Sequence, residues 1–359
     1  MLDHNASISG QTPNRGAPAE TAAPSRSART DQRLSQVIRV LSANATVVVS
    51  GTKLAEEIGT TRSEVWRLIQ QLRSLGLDIA GHPASGYQLV KVPDLPLPDV
   101  LASPLSATMF DGNIHHYFRI PSTNIEAMQA AAAGAPEGSV FLAEEQTAGR
   151  GRGGHSWTSP VSTGIYCSVV LRPPLPPADA IVLSMMAGLA TASAVEQCAR
   201  IKPDLRWPND LLIGEKKFCG ILTEMNAEIT RVRYAVVGIG INVNQEEFAS
   251  DLAPIATSLR LVSGHAHSRV QLTAALLQSL DREYLALTLR PTGAARADIF
   301  RRFEQQSSYA RGKQVHVDED GGYEGTTAGL DERGFLLVDT ASGVRTVLSG
   351  GVRALTTDR

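Results

Sequence analysis

The stretch Arg206-Trp207-Pro208-Asn209-Asp210-Leu211-Leu212-Ile213-Gly214-Glu215-Lys216-Lys217-Phe218-Cys219-Gly220-Ile221-Leu222 decides how the middle of this 359-residue chain is read. Leu211–Ile213 is a short apolar run, Gly214–Lys217 is a turn, and Phe218–Met225 is a second apolar run. A second short turn, Asn226–Thr230, leads to a third run, Tyr234–Val243. Strands joined so closely pair antiparallel, so a mixed or antiparallel sheet covered by helices is expected. The polar residues ahead of the first run carry chemistry. Asp210 can hold Mg²⁺, Asn209 can hold the metal or a phosphate-bound water, and Lys217 can neutralise a phosphate or carboxylate as a point charge. Taken alone, Pro208-Asn209-Asp210 reads better as an ordinary turn and Trp207 as a core aromatic.

A second loop tips the balance. Gly149-Arg150-Gly151-Arg152-Gly153-Gly154 satisfies G-x-G-x-x-G and follows the strand candidate Val140–Glu145. A dinucleotide fold also needs a helix directly after it and an acidic residue about 20 positions on. His155-Ser156-Trp157-Thr158-Ser159-Pro160 opens no helix, and no such acid follows. What remains is a loop of amides and two guanidinium groups, either a phosphate-binding segment or a surface turn. Trp157, just beyond, can stack on a base. Read together, the two loops suggest one site for a phosphorylated species.

Further segments each carry two readings. Ser122-Thr123-Asn124 precedes an alanine-rich helix and reads first as its N-cap. Gly238-Ile239-Gly240-Ile241-Asn242 ends a strand, where glycine permits either close approach or a bulge. Asp318-Glu319-Asp320-Gly321 lacks the closing Glu of a calcium loop and reads as a hairpin turn.

Hydrophobic residues make up 43% and charged residues 19% of the chain, enough for two or three domains with a sizeable core. A net charge of −2 excludes a global polycation, so any nucleic-acid contact must come from a local patch. Cys167, Cys198 and Cys219 have neither metal nor disulfide spacing, which suits a reducing cytoplasm. No signal peptide and no stretch able to span a bilayer is expected.

Residues 1–31 carry hardly any large apolar side chains and are expected to be a disordered tail. In residues 32–92, Leu34, Val37, Ile38 and Leu41 share one helical face, and Leu54 and Ile58 mark a second helix. Val65, Leu68, Ile69 and Leu72 then stripe a third, opened by a Thr61/Glu64 capping box. Leu77–Val90 reads as a hairpin, which completes a winged helix-turn-helix. Its third helix carries Arg62, Arg67 and Arg73 against Glu64, suited to phosphate contacts in DNA. Four prolines make 93–106 a linker. Within 107–308, Gly164–Leu171 adds a strand, and Ser122–Ala133, Asp179–Gln197, Val270–Leu289 and Ala295–Gln306 are helices. In 309–359, Gln314–Val317, Phe335–Asp339 and Val344–Leu348 predict a small β-barrel.

Five segments in this order resemble the bacterial biotin protein ligases. They are Pro121–Asn124, Ala143–Arg152, Arg206–Asp210, Lys217–Glu224 and Val237–Asn242. The flanking regions resemble those of the bifunctional ligase-repressors. The resemblance implies an α+β fold with an N-terminal winged helix-turn-helix. Its central mixed sheet would be of the biotinyl/lipoyl ligase and class II aminoacyl-tRNA synthetase kind, and its C-terminal barrel SH3-like. It implies that biotin and Mg-ATP give biotinyl-5′-adenylate, and that a lysine of a biotin carboxyl carrier protein of acetyl-CoA carboxylase then takes the biotin. By motif, Ser122, Thr123, Asn124 and Gln146 would hold biotin. Arg150, Gly151 and Arg152 would fold over biotin and phosphate, and Lys217 would sit between the biotin carboxylate and the α-phosphate. Trp157 would pack on adenine. Arg206 keeps the charge of a lysine common before Trp-Pro-Asn-Asp. Asn209, Asp210 and Asn242 would serve nucleotide and metal. Operator DNA and, with adenylate bound, a homodimer are the further partners implied. The chain departs from the family loop, which usually continues with two more arginines, at Gly153 and His155. Half the loop's positive charge is therefore missing or titratable. Two other classes compete: a ligand-sensing transcription factor without ligase activity, and a lipoate–protein ligase.

Overall fold

A computed structural model describes residues 26–44, 47–83, 85–289, 292–348 and 350–355. The first unit is helical and ends in a hairpin: α1 (Arg26–Ala43), α2 (Gly51–Glu57), α3 (Arg62–Ser74), β1 (Ile79–His82) and β2 (Gly86–Leu89). Ser50 caps α2 by accepting from Lys53 N (3.1 Å), and Thr61 caps α3 by accepting from Glu64 N (3.2 Å). Val65, Leu68, Ile69 and Leu72 turn inward from α3 onto Leu34, Val37, Ile38 and Leu41 of α1. The hairpin pairs Ile79 with Leu89 through His82 with Gly86.

Two boundaries differ from expectation. The expected tail is helical from Arg26, and Asp31 is already buried; residues 1–25 lie outside the described residues. The proline-rich linker contains α4 (Pro98–Leu105), which buries Leu101 and Leu105. Proline is well tolerated in the first helical turn, so Pro98 starts this helix rather than breaking it.

The body follows as β3 (Ile114–Tyr117), α5 (Thr123–Ala132), β4 (Val140–Ala143), β5 (Gly164–Leu171), α6 (Ile181–Ala199), β6 (Asp204–Arg206), β7 (Asp210–Ile213), β8 (Lys216–Ala227), β9 (Val232–Asn242), α7 (Leu259–Ser263), α8 (Arg269–Leu289) and α9 (Thr292–Gln305). Among the described residues its seven strands form one sheet in the order β3-β4-β5-β9-β8-β7-β6. Only β3 and β4 run parallel, so the sheet is mixed. Every residue of β5 is buried, because both sheet faces are covered. On one face Val169, Val237 and Ile239 pack beneath α6 and α8. On the other Phe141, Val170 and Val236 pack beneath Ala127 and Ala131 of α5.

Contrary to expectation, one helical stretch, Pro177–Ala199, is long and apolar enough to cross a membrane. Its residues are buried nearly all round, which marks α6 as a core helix. The chain ends in an antiparallel sheet, β13-β12-β11-β10-β14, built from β10 (Arg311–Asp318), β11 (Tyr323–Leu330), β12 (Leu336–Thr340), β13 (Gly343–Val347) and β14 (Gly351–Ala354). Asp318–Gly322 is the β10–β11 turn, as expected.

The first unit is seated on the body. Phe118, just past β3, is buried in the helical unit's core. Beside it lies a fully buried carboxylate, Glu144. Arg269 Nη1 stands 2.8 Å from its Oε2 and His116 Nε2 3.0 Å from its Oε1. The Ser162 hydroxyl lies 3.0 Å from Oε2 and 3.2 Å from the carbonyl oxygen of Leu75, at the end of α3. Arg269 also donates through Nη2 to the carbonyl of Asp94 (2.6 Å), in the connecting segment. Burial acts to raise the Glu144 pKa, but Arg269 and His116 outweigh it and hold the group below the ordinary glutamate value. Arg269→Met removes the principal counter-charge and strands a buried anion. It should lower unfolding free energy by about 3–5 kcal/mol in denaturant titration, and pairing it with Glu144→Gln should recover part of that loss.

Candidate active site

Sheet register builds the site. On the α5 face, β5 presents Val170, Ser168 and Tyr166 opposite Val236, Gly238 and Gly240 of β9. β8 sets Leu222 opposite Gly238 and Gly220 opposite Gly240, and β7 sets Asp210 opposite Gly220. The bulky residues that pack α5 thus give way to a small and polar floor. A Cβ on Gly238 would stand 2.0 Å from Asn124 Oδ1, and one on Gly240 2.5 Å from Trp157 Nε1. The ladder is unbroken at both positions, so these glycines serve close approach rather than a bulge.

Above this floor is a narrow cavity of about 40 Å³. Ser122, Thr123, Asn124, Gln146, Arg150, Gly151, Arg152, Trp157, Asn209 and Lys217 all line it. Arg206 and Asp210 stand behind Lys217. Asn242 is not brought into the cavity. It is buried, donating to the carbonyl of Thr257 (3.1 Å) and accepting from Gln245 Nε2 (3.1 Å), so it anchors the segment after β9.

At one end a polar relay fixes the side chains. Gln146 Oε1 accepts from Thr123 N (2.9 Å), and its Nε2 donates to Ser159 Oγ (2.9 Å). Asn124 Nδ2 donates to Glu224 Oε2 (2.9 Å), leaving Asn124 Oδ1 to accept from Ser168 Oγ (2.6 Å). Ser168 lies 2.8 Å from Thr123 Oγ1 as well, so one buried hydroxyl orders two site residues. Ser122 starts α5 but makes no side-chain cap bond. Ser168 lies in none of the motif segments and Glu224 only closes one, because a single polar residue in an apolar strand shows its role only once register places it under Asn124.

At the other end Asp210 is held by two cations, Lys217 Nζ at 2.6 Å and Arg206 Nη2 at 2.5 Å. Burial alone would raise its pKa, but Lys217 and Arg206 outweigh burial and keep it ionised below the ordinary aspartate value. The Trp207–Asn209 turn joins β6 to β7, and Trp207 is a core residue whose indole donates to the carbonyl of Gly334 (2.9 Å). The expected turn is present, and it brings Asn209 to the cavity. Among the described residues there is no cluster of three metal-competent side chains, and both Asp210 oxygens already face cations. This donor set does not fit a resident metal ion.

The glycine loop folds over the cavity as a small hairpin. Gly151 N donates to the carbonyl of His155 (2.7 Å) and Trp157 N to that of Gly149 (2.9 Å). Arg152 Nη1 donates across the cleft to Asn209 Oδ1 (2.8 Å). Trp157 lies over Gly220 and Gly240 with Lys217 Nζ 5.4 Å from its ring centre, and its buried indole N–H has no partner. The Cys167 side chain points to the other face of the sheet, into the core beneath α6 and α8, where burial pushes its thiol up to about 12.

The helix-turn-helix arginines separate. Arg67 gives Nε and Nη2 to Glu64 (2.9 and 2.6 Å). Arg73, expected at DNA phosphate, turns its Nε and Nη2 to the carbonyl of Ile79 (3.0 and 2.8 Å) and braces the hairpin. Arg62 is exposed on the cleft between α2 and α3.

Three family models match in succession: an HTH domain at 33–88, the biotin/lipoate A/B protein ligase family at 118–242, and the biotin protein ligase C-terminal domain at 312–352. The chain is 33% identical over 324 residues to the bifunctional ligase/repressor BirA of Bacillus spizizenii, covering 88% of this chain and 97% of that one. It is 28% identical over 303 residues to BirA of Escherichia coli K12, covering 84% and 92%. The biotin protein ligase from Aquifex aeolicus, solved in complex with biotin and ATP, superposes with a TM-score of 0.59 at 27% identity, over 68% of this chain and all of that one. The fold and site thus define the class as biotin/lipoate-type protein ligases with an attached helix-turn-helix. Within that class, the chain belongs to the bifunctional biotin protein ligase family.

Ser168→Ala leaves Asn124 Oδ1 buried without its donor, a loss of about 1–3 kcal/mol. KM for biotin should rise while KM for ATP stays near the wild-type value, as read in pyrophosphate-release kinetics. Equal rises in both would place the relay elsewhere in the reaction.

Proposed function

We propose that this chain joins biotin to ATP and passes the biotinyl group to a lysine of a biotin carboxyl carrier protein, and that its helix-turn-helix unit represses transcription from operator DNA. The carrying observation is the charge balance of the cleft. Lys217 and Arg206 both pair with one carboxylate, Asp210, so their cluster keeps one positive charge for incoming anions, and Arg152 reaches Asn209 across the cleft beside it. In the first step a biotin carboxylate oxygen attacks the α-phosphorus of ATP and pyrophosphate leaves. In the second the carrier lysine amine attacks the acyl carbon and AMP leaves. Both steps concentrate negative charge at one point, where fixed cations and amides stabilise the transition state most.

In this reading the Ser122–Asn124 and Gln146 end takes the biotin head. Lys217 and Arg152 meet the carboxylate and the α-phosphate, and Arg150 and Gly151 close over them. The unpaired indole N–H of Trp157 awaits a nucleotide acceptor. Mg²⁺ arrives as Mg-ATP, held by the triphosphate and water rather than by a protein cage. The closed loop would shield the mixed anhydride from water. Arg62 would contact DNA phosphate. A two-fold dimer would suit a two-fold operator. We also assign the terminal sheet to an SH3-like barrel, the cell compartment to the cytoplasm, and the units to 32–92, 107–308 and 309–359. In this division α1 extends the first unit back to Arg26, and α4 replaces much of the linker.

Purified chain with biotin, ATP, Mg²⁺ and an apo carrier domain should label the carrier, and Lys217→Ala should lower that rate on the order of 100-fold or more. Labelling with lipoate in place of biotin would reject the assignment. Because Gly153 and His155 thin the loop's charge, the adenylate should escape measurably in the absence of carrier. His155→Arg should slow that escape, as followed by release of labelled biotinyl-AMP through a filter.

A further inference from the structure

Helix α3 carries an anomaly that ligase chemistry does not use. Trp66 on α3 is 58% exposed, and it is the only aromatic among the exposed large hydrophobic side chains of the described residues. The apolar stripe of α3 is fully buried on the opposite face, so Trp66 is not a frayed core residue. It shares a cleft with Ser63 and Gln70, between α2 and the β1–β2 hairpin. At 100° per residue, positions 63, 66 and 70 fall within about 60° of one another on the helix surface. At about 1.5 Å rise per residue they span roughly 10.5 Å, the height of about three base pairs. Among the described residues no Asp or Glu lines the cleft, in a chain whose net charge is −2. Glu64, the acid on this helix, is engaged by Arg67, and Arg73 is turned to the hairpin backbone. Neither of these two arginines is thereby presented to a base edge.

We infer that Ser63, Trp66 and Gln70 form the base-reading surface for duplex DNA, and that they select an A·T-containing half-site. The inference rests on the DNA-binding reading of the helix-turn-helix unit and adds which residues read sequence and what they read. A glutamine amide matches the N6 donor and N7 acceptor of adenine in the major groove, and a flat apolar indole suits the thymine methyl. Ser63 accepts either base class. Arg62 at the rim positions the helix on the backbone without reading sequence. The Arg73 brace holds the hairpin against α3 before DNA arrives, so the cleft is preformed.

The test is selection from a random duplex library by the full chain with biotin and ATP present, repeated for Trp66→Ala, Gln70→Ala and Gln70→Glu. Carrier biotinylation by the same preparations reports that each variant is folded. Wild type should enrich a half-site with an A·T pair that Gln70→Ala no longer discriminates, a loss of roughly tenfold or more at that position. Trp66→Ala should relax a thymine within one or two base pairs of it. Gln70→Glu should move the preference at its position toward cytosine, since a carboxylate accepts from the cytosine N4 amine. If wild type selects a site and all three variants select it with the same discrimination, the inference fails while the DNA-binding reading stands. If wild type selects nothing, both fail.

Discussion

Burying the charge of Glu144 is the constraint around which the chain is organised. A carboxylate with no access to water is tolerated only where opposite charge and hydrogen-bond donors replace its hydration. Here they come from three places: Arg269 at the start of α8, His116 on edge strand β3, and Ser162 ahead of β5. Each partner has a second commitment. Arg269 reaches the carbonyls of Gly164 and Asp94, Ser162 reaches the end of α3 through Leu75, and His116 packs edge-on to Phe118. Satisfying one charge therefore fixes where the helical unit sits on the sheet. Glu144 itself follows β4 directly and lies two residues before Gln146, so the same charge links the helix-turn-helix unit to the Gln146 end of the cleft through covalently adjacent residues.

The opposite end of the cleft solves the converse problem. Arg152, Lys217 and Arg206 repel one another, and a cavity lined by them alone would be costly in the absence of substrate. Asp210 offsets two of these charges directly, and Asn209 accepts from the third. Asp210 thereby acts as an internal counter-ion. It is one charge against the two cations that pair with it, so anions entering the cleft still meet a positive field.

What was legible in the sequence follows from the range of each interaction. The α3 stripe, the Thr61 cap, the β1–β2 hairpin and strand β5 were readable because their signals are periodic or local. The short strands β3 and β6 and helix α4 were not. Ile114–Tyr117 and Asp204–Arg206 are too short for periodicity, and the prolines around α4 mimic a linker. In the site, Lys217, Arg152 and Asn209 could be grouped by chemistry. Asn242 has the same chemistry but is consumed by Thr257 and Gln245, and Arg73 by Ile79, outcomes that only the tertiary structure decides. The roles of Ser168 and Glu144 were not legible for the opposite reason, although Glu144 lies within the Ala143–Arg152 motif. Each is ordinary in sequence and acquires its role from partners far along the chain, at Asn124 and Arg269.

The loop over the cleft shows why its missing arginine is not a simple loss of charge. Gly153 and Gly154 have φ values of 61° and 80°, in the left-handed region that side chains other than glycine adopt only at a cost. These two residues turn the chain tightly enough for Gly151 N to reach the carbonyl of His155 and for Trp157 to return onto Gly220 and Gly240. An arginine at 153 would add charge but strain the turn that delivers Trp157. Position 155 is free of that conflict, because its backbone is extended, with φ −66° and ψ 150°. The two departures from the family loop therefore differ in kind. Gly153 supports the geometry that closes the site, whereas His155 changes only the chemistry of its rim.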